Sequence, residues 1–159
     1  MRCRIWGALV CAFVFAGGAW AADRAGDRDA QAVRAVIEKA YENWAALNSD
    51  ANDPYYTADA KAAWFDLAPM QYVGWNAYKE GAKRLTANIE SAHFKIHDDM
   101  AVQRRGNVAW ATLTFTAEFR LKGGKVERLE ARGTEILEKK KGQWIIVHEH
   151  VSVPAPLSP

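Results

Sequence analysis

Hydrophobic residues in the first half of the chain recur with the period of α-helices. Between Asp29 and Leu47 they recur every three or four positions, which is typical of an amphipathic helix that packs on an apolar surface. Asp53-Pro54 predicts the start of a short second helix, because Asp can cap a helix and Pro suits its first position. A third helix is predicted to follow Gly74 and to carry an apolar stripe as far as Ile89.

The hydrophobic period changes to two from Ser91 onward, which indicates β-strands. Four strands are predicted, with the first interrupted near Asp98 and Gly-containing turns between the others: Ser91–Arg105, Val108–Lys122, Lys125–Lys140 and Gln143–Val153. Two shorter strands are predicted at Ala63–Leu67 and Gln71–Val73. Three helices and a long antiparallel meander predict an α+β domain, with the helices packed on a curved, mostly antiparallel sheet that encloses a cone-shaped cavity.

The hairpin turns also predict which side chains share a face of the sheet. Two-residue loops place Lys122 opposite Lys125 and Lys140 opposite Gln143. One predicted face carries Trp110, Thr112, Thr114, Leu129, Glu135, Leu137, Trp144, Ile146, His148, His150 and Ser152. The other carries Leu113, Phe115, Phe119, Arg132, Thr134, Ile136, Ile145, Val147, Glu149 and Val151. Both faces are largely apolar, so we expect one to line the cavity and the other to pack on a second copy in a homodimer, although a single bulge would exchange part of this assignment.

The amino terminus has the three regions of a secretory signal peptide. Met1–Arg4 is basic, Ile5–Ala16 is apolar, and Ala19-Trp20-Ala21 has the small residues of a cleavage site. The apolar run of about 12 residues is too short for a membrane span of about 20. We therefore expect residues 1–21 to be a signal peptide and residues 22–159 to be one exported domain, periplasmic or secreted, with no membrane association after cleavage. An uncleaved anchor or a lipoprotein attached at Cys11 are the alternatives.

Charge and cysteine content narrow the function classes. The chain has 21 Lys and Arg against 19 Asp and Glu, but Arg2 and Arg4 lie in the predicted signal peptide and the remainder is neutral. A neutral chain without a basic run argues against nucleic acid as a partner. Both cysteines, Cys3 and Cys11, also lie in the signal peptide. The exported domain therefore has no disulfide, thiolate metal site or thiol nucleophile, and we expect it to need no cofactor.

The carboxy-terminal strands carry a recognisable pattern. Residues Arg132–Pro154 read RGTEILEKKKGQWIIVHEHVSVP, with the order W-x-I-V-H-x-H-x-S-x-P after a charged turn. This segment resembles the signature of SnoaL-like proteins in the NTF2-like superfamily, and it is similar to the association (hub) domain of calcium/calmodulin-dependent protein kinase. The resemblance implies an NTF2-like cone over Asp29–Pro154. The superfamily includes ketosteroid isomerase, polyketide cyclases, dehydratases and binding-only members, so the fold does not decide the chemistry.

The binding residues of these relatives are not reproduced here. The hub domain binds small carboxylates through arginines, whose positions correspond to Glu135, Val151 and a residue near Thr112. Ketosteroid isomerase pairs a helix tyrosine with two acids, and Tyr41 and Asp66 are only loose counterparts.

Three residues are the candidate catalytic groups. Asp66 lies in an apolar strand, where desolvation would raise its pKa and make it a general base near neutral pH; the alternatives are a helix cap or a salt bridge. His148 and His150 share a strand face and are candidate proton carriers. Their spacing also allows a metal site if Asp66 or Glu135 converges on them, or a purely structural role. A pocket or acid–base role and a structural role both remain open for the histidines, and we assign no metal ligands.

The candidate ligand-binding residues are mostly aromatic, and they suit a flat, apolar ligand. They are Tyr41, Trp44, Trp64, Trp110, Thr112 and Glu135. For Glu135 an ion pair across the sheet is the alternative. We expect Asp66, Trp110, His148 and His150 to face one cavity. Two functions remain open: a cofactor-free isomerase, dehydratase or cyclase, and a non-catalytic binding or assembly module.

Cleavage after Ala21 is directly testable. Mass spectrometry of the protein expressed with its own amino terminus should find Ala22 as the first residue of the exported form, because small residues precede that bond. Ala19→Arg removes one of the two small residues and should block processing. A full-length chain retained in the cytoplasm would contradict the prediction.

Overall fold

The structure, a computed structural model, describes residues 17–155, with side chains from residue 27 onward. Residues 1–16 of the predicted signal peptide and the tail at 156–159 lie outside the described residues. The predicted cleavage point after Ala21 falls within the first helix, α1 (Gly17–Ala45). Within the described part of the chain, no helix is both long enough and apolar enough to span a membrane.

Residues 17–155 contain two α-helices rather than the three predicted. α1 begins earlier than Asp29, and α2 (Trp75–Thr86) follows Gly74 as expected. The predicted helix starting at Asp53 is wrong, because the segment before it, Ser49–Asn52, forms a single 3-10 turn instead. The Asp53 carboxylate does not cap a helix; it accepts hydrogen bonds from the Trp75 indole at 2.7 Å and from Lys79 at 2.7 Å.

The strands follow the sequence pattern closely. Seven strands form one sheet in the described residues: β1 (Ala63–Phe65), β2 (Tyr72–Val73), β3 (Ile89–Ile96), β4 (Ala101–Arg105), β5 (Val108–Leu121), β6 (Val126–Lys140) and β7 (Gln143–Ser152). The strand order is β2-β1-β7-β6-β5-β3, with β4 also pairing with β5. All pairs are antiparallel except β1 with β7. The α+β class and the mostly antiparallel sheet are confirmed.

The register between β5 and β6 differs by one residue from the prediction. Arg120 pairs with Val126, and the Leu121 N–H donates to the Lys125 carbonyl at 2.8 Å, so the loop has three residues rather than two. Two successive glycines in that loop, Gly123 and Gly124, have positive φ angles of 112° and 87°. A register shift of one residue changes which side chains of two paired strands lie on the same face. The β5 side chains therefore share a face with the alternate β6 residues to those expected.

A β-bulge in β7 makes a second change. Lys140 pairs with Gln143 as predicted, but the register shifts further along, so Leu137 pairs with Ile146 whereas Ile136 pairs with His148. Val147 is the extra residue. An extra residue reverses the alternation beyond it, so Glu149 points to the same face as Ile146.

These two irregularities define an inner and an outer face of the sheet. The inner face packs on α1, where the Tyr41 ring lies edge-on to Phe115 at 5.0 Å between ring centroids. The buried inner residues are Ala109, Ala111, Leu113, Phe115, Ala117, Ala131, Glu135, Leu137, Trp144, Ile146, Glu149 and Val151. Phe115, Phe119 and Val151, which the predicted register grouped with Ile136 and Val147, therefore lie on the opposite face from those two residues. The outer face carries Trp110, Thr112, Thr134, Ile136, Ile145, Val147, His148 and His150.

Candidate functional site

An apolar cavity lies between the helices and the inner face of the sheet. Its volume is about 640 Å³, enough for a ligand of two or three fused rings. Residues from α1, α2 and five strands or their adjoining loops line it, among them Tyr41, Trp44, Asp66, Leu67, Tyr78, Ala82, Phe94, Phe115, Phe119, Leu129, Glu149 and Val151. The predicted cone with an internal cavity is therefore present.

A cluster of stacked aromatic rings closes one end of this cavity. Tyr56 stacks on Trp75 with ring centroids 4.3 Å apart, and the fully buried Trp64 stacks on Tyr78 at 5.8 Å. The Trp44 indole N–H donates to the Tyr56 hydroxyl at 3.0 Å. Such packing restricts the rotamers of the tyrosines, so their hydroxyl groups have defined positions.

Two of these tyrosine hydroxyls point at the carboxylate of Glu149. Tyr56 donates to Oε2 at 2.5 Å, and Tyr78 makes a short hydrogen bond to Oε1. Glu149 is 2% exposed and lines the cavity. Burial raises the pKa of Glu149 to about 7, and the two tyrosine hydrogen bonds keep it from rising further because they stabilise the ionised form.

Glu135 lies beside Glu149, directly opposite it on β6. It is completely buried, and its Oε1 atom accepts a hydrogen bond of 3.4 Å from the Tyr41 hydroxyl. Gly133, two residues earlier, makes room for that tyrosine, because a Cβ there would lie 2.9 Å from the hydroxyl oxygen. Burial, and then the neighbouring charge of Glu149, raise the pKa of Glu135 well above its ordinary value.

Asp66 is the third carboxyl group of the cavity. It follows β1, which pairs with β7 so that Trp64 lies opposite Glu149. Asp66 is half-buried, and its Oδ1 atom accepts the backbone N–H of Leu67 at 2.7 Å. Burial raises the pKa of Asp66, and the Leu67 hydrogen bond partly opposes that rise. The raised pKa predicted for Asp66 is thus found, by the desolvation expected.

The three tyrosines remain protonated at neutral pH. Burial raises the pKa of Tyr41, Tyr56 and Tyr78 well above the usual value, and the neighbouring glutamates raise each further. The hydroxyl groups therefore act as donors. Two tyrosine hydroxyls donate to Glu149, whereas Glu135 accepts only one, longer hydrogen bond from a tyrosine. If the pair carries one negative charge, that charge is therefore more stable on Glu149 than on Glu135.

The histidines expected in the cavity are on the other side of the sheet. The bulge at Val147 directs His148 and His150 to the outer face, where both contact the ring of Phe65. One ring nitrogen of His148, Nδ1, lies 2.8 Å from the Ala63 carbonyl and links β7 to β1. The prediction that Asp66 and these histidines share one cavity is therefore wrong. No group of three metal-ligating side chains comes together among the described residues.

The predicted ligand-binding residues also lie partly on the inner face of the sheet and partly on the outer face. Tyr41 and Trp44 line the cavity, and Glu135 lies behind Tyr41 on the inner face. Trp64 is on the inner side but packs in the core behind Tyr78. Trp110 and Thr112 lie on the outer face and do not line the cavity, because the three-residue loop between β5 and β6 shifts the register.

Sequence reasoning missed Glu149, Tyr56 and Tyr78 as a unit. Regular alternation along β7 places Glu149 on the face opposite Glu135, and only the bulge brings the two together. One signal was available: Trp144, Ile146, Glu149 and Val151 fit one buried face only if an extra residue is inserted between the two pairs. Tyr56 reaches the site because its backbone bridges to Ile146 of β7, which no local pattern shows.

Comparisons with known proteins agree with this architecture. The sequence profile of the SnoaL-like domain matches residues 33–156. The chain therefore belongs to the SnoaL-like domain family. No curated protein matches the chain significantly in sequence.

Solved structures of the NTF2-like superfamily share the fold. An NTF2-like superfamily protein from Salmonella enterica serovar Typhimurium LT2 superposes with a TM-score of 0.73 at 15% identity, covering 86% of this chain and 96% of that one. A candidate scytalone dehydratase from Novosphingobium aromaticivorans gives 0.74 at 10% identity, covering 84% and 89%. The CaMKII hub of S. rosetta gives 0.65 at 24% identity, covering 79% and 96%. At these identities the similarity shows the fold alone.

The buried carboxyl pair should make stability depend on pH in a specific direction. In the unfolded chain Glu149 titrates near 4.5, but in the folded protein near 7, so between these values the folded state binds more protons. The free energy of unfolding should therefore fall as pH rises from 5 to 8, by about 3 kcal/mol from Glu149 alone. Glu135 and Asp66 act in the same direction. Urea titrations at several pH values would measure this.

Two variants test the assignment. Glu149→Gln should reduce the pH dependence, whereas Glu118→Gln, on the exposed outer side of β5, should leave it unchanged. If Glu149→Gln does not fold, the 13C resonance of the Glu149 carboxyl in the unsubstituted protein reports its pKa directly. Stability that rises between pH 5 and 8 would contradict the assignment.

Proposed function

We propose that the protein binds a small, largely apolar molecule in this cavity and transfers a proton on it through Glu149, as a cofactor-free isomerase or dehydratase does. The observation that carries the proposal is a buried carboxyl group, held by two tyrosine hydroxyls, on the wall of an aromatic cavity of about 640 Å³. Burial raises the pKa of this group to about 7. A general base works best when its pKa is close to the working pH, because it is then both available and basic.

The surroundings of Glu149 support the base role. Tyr56 and Tyr78 each donate to one of its oxygens, so the carboxylate has a fixed orientation. Ground-state hydrogen bonds of this kind lower basicity, but burial more than compensates for them. The neighbouring carboxyl of Glu135 holds a proton more firmly, so the pair offers a base and an acid side by side.

Asp66 is a positioning residue in this proposal. It lines the cavity at the end of β1, the strand beside Glu149 of β7, next to the exposed Leu67, and its charge acts on the buried pair. His148 and His150 have no role in proton transfer, since they lie on the outer face. A purely ligand-binding module would have the same cavity without turnover, and the following experiment separates the two.

Proton transfer can be tested with 2-tetralone, a flat bicyclic ketone with acidic hydrogens at C1. Glu149 would take a proton from C1 to leave an enolate, and in D2O a deuteron would return to the same carbon. NMR should show deuterium incorporation at least about tenfold faster than in buffer alone, a conservative minimum since a well-placed base typically contributes about 10²–10⁴-fold. The rate should rise with pH through about 7, the pKa of Glu149.

The matched variants are Glu149→Gln and Glu118→Gln. Loss of the acceleration in the first, with the dissociation constant of 2-tetralone changed by less than about threefold, would identify the base. The second should exchange at the normal rate, because Glu118 is exposed. Tight binding of 2-tetralone with exchange no faster than in buffer would reject the enzyme and leave the binding module.

We also propose a homodimer formed through the outer face of the sheet. Trp110, Ile136, Ile145 and Val147 form an apolar surface on this face, and α1 and α2 pack on the inner face. Apolar surface of this kind on a monomer usually marks an interface. The fold shared with the CaMKII hub and with the association domain of C. elegans CaMKII supports an oligomer, and the outer face is the surface available for it.

Substitution at the centre of that face tests the dimer. Ile136 lies between Trp110 of β5 and His148 of β7, so Ile136→Glu places a charge in the interface. Sedimentation at micromolar concentration should show a dimer for the unsubstituted protein and a monomer for the variant, with unchanged circular dichroism. Met70→Glu changes a residue that is 90% exposed in a loop and should remain dimeric. A monomeric unsubstituted protein would refute the interface.

We also propose that the predicted signal peptide directs the domain to the periplasm or the medium. A chain without cysteine after Ala21 folds there independently of the redox conditions.

A further inference from the structure

Aromatic rings and carboxyl groups line the cavity, but no buried lysine or arginine does so among the described residues. Asp66 and Glu149 line the cavity, and Glu135 lies directly behind. Arg128 is the one basic side chain that lines it among the described residues, and this arginine is exposed and donates to Glu130 at 2.9 Å. The negative charge of the site therefore has no cationic partner within the described protein.

The three tyrosine hydroxyls of the site already donate hydrogen bonds within the protein. The Tyr41 hydroxyl points to Glu135, and the hydroxyls of Tyr56 and Tyr78 point to Glu149. The second oxygen of Glu135, Oε2, is buried and has no hydrogen-bond partner in the described chain. The polar groups that a ligand meets are thus carboxyl oxygens, which accept hydrogen bonds when ionised.

The apolar part of the cavity also favours a positive charge. The faces of aromatic rings attract cations, because the π-electrons concentrate negative charge there. Tyr41, Trp44, Phe94, Phe115 and Phe119 present such rings around the space in front of Glu149. An anionic ligand would instead meet the carboxylates, and the one cationic side chain on the wall, Arg128, is exposed and already pairs with Glu130.

From these contacts we propose that the natural ligand is an apolar ring compound that carries a protonated amine. The ammonium group would be held by Asp66 and Glu149, and the ring would occupy the aromatic part of the cavity. This inference rests on the ligand cavity of the proposed function, but it does not require proton transfer on the ligand.

A protonation change would accompany binding. Without a ligand, Glu149 is partly protonated near pH 7, because its pKa is about 7. An ammonium ion beside it favours the carboxylate, so binding at pH 7 should release protons to the buffer. Affinity should accordingly increase between pH 6 and pH 8, while the amine itself remains protonated.

Three bicyclic probes of equal ring size and different charge test the proposal: 2-aminotetralin, 2-tetralol and tetralin-2-carboxylate. Calorimetry at pH 7 and moderate salt should show 2-aminotetralin binding at least about tenfold more tightly than 2-tetralol, and the carboxylate binding most weakly. Repeating the titration in buffers of different ionisation enthalpy should show proton release for the amine but not for the alcohol.

Variants connect the preference to the acids. Glu149→Gln and Asp66→Asn should each lower the affinity for the amine severalfold and change that for 2-tetralol by less than about twofold, whereas Glu118→Gln should change neither. An alcohol that binds as tightly as the amine overturns the inference and leaves the cavity and its proton transfer to 2-tetralone intact. If none of the three binds at millimolar concentration, the ligand cavity itself is refuted and the inference with it.

Discussion

The β-bulge at Val147 is the constraint on which the candidate site depends. Before it, Trp144 and Ile146 point inward; beyond it, Glu149 and Val151 do so, and the alternation would otherwise have buried His148 instead. The extra residue therefore decides whether an imidazole or a carboxyl faces Glu135. Bulges are found where a strand must redirect a side chain, and here the redirected side chain is an acid. The raised pKa of Glu149 and its two tyrosine hydrogen bonds follow from that exchange.

Two buried carboxyl groups in contact are unfavourable, so the rest of the core has to hold them. Transfer of an ionised carboxylate from water into a protein interior costs several kcal/mol unless hydrogen bonds replace its hydration. Tyr56 and Tyr78 provide those bonds, and the aromatic cluster behind them prevents their rings from turning away. The apolar side of α1 contributes Tyr41 in the same way. The packing of the aromatic cluster thus holds the Glu149 carboxyl in a defined position.

The strands and the two long helices could be predicted from the sequence, but the helix at Asp53 and the faces of the strands could not. Periodicity of two identified the long strands to within a residue or two, and the apolar context of Asp66 predicted its raised pKa. Both errors in the site arose from single residues. A third loop residue between β5 and β6 moved Trp110 to the outer face, and the bulge moved His148. Side chains alternate along a strand, so one inserted residue moves every later side chain to the opposite face. Whether that insertion stabilises the fold depends on contacts with strands that are distant in sequence.

The proposed ligand site and the proposed dimer interface lie on opposite sides of the same two strands, β6 and β7. Glu135 points into the cavity while its neighbour Ile136 points outward, and Glu149 lies beside His148 in the same arrangement. In the proposed dimer, the partner would contact the same strand segments of β6 and β7 that carry Glu135 and Glu149. The register that pairs β6 with β7 shifts at the bulge, and its extra residue, Val147, has no partner in the ladder. A change in its geometry would rotate Glu149 relative to Tyr56 and Tyr78, and so alter the hydrogen bonds that keep its pKa near 7. The proton affinity of Glu149 is thus set by the local backbone geometry of β7 as well as by the tyrosines that donate to it.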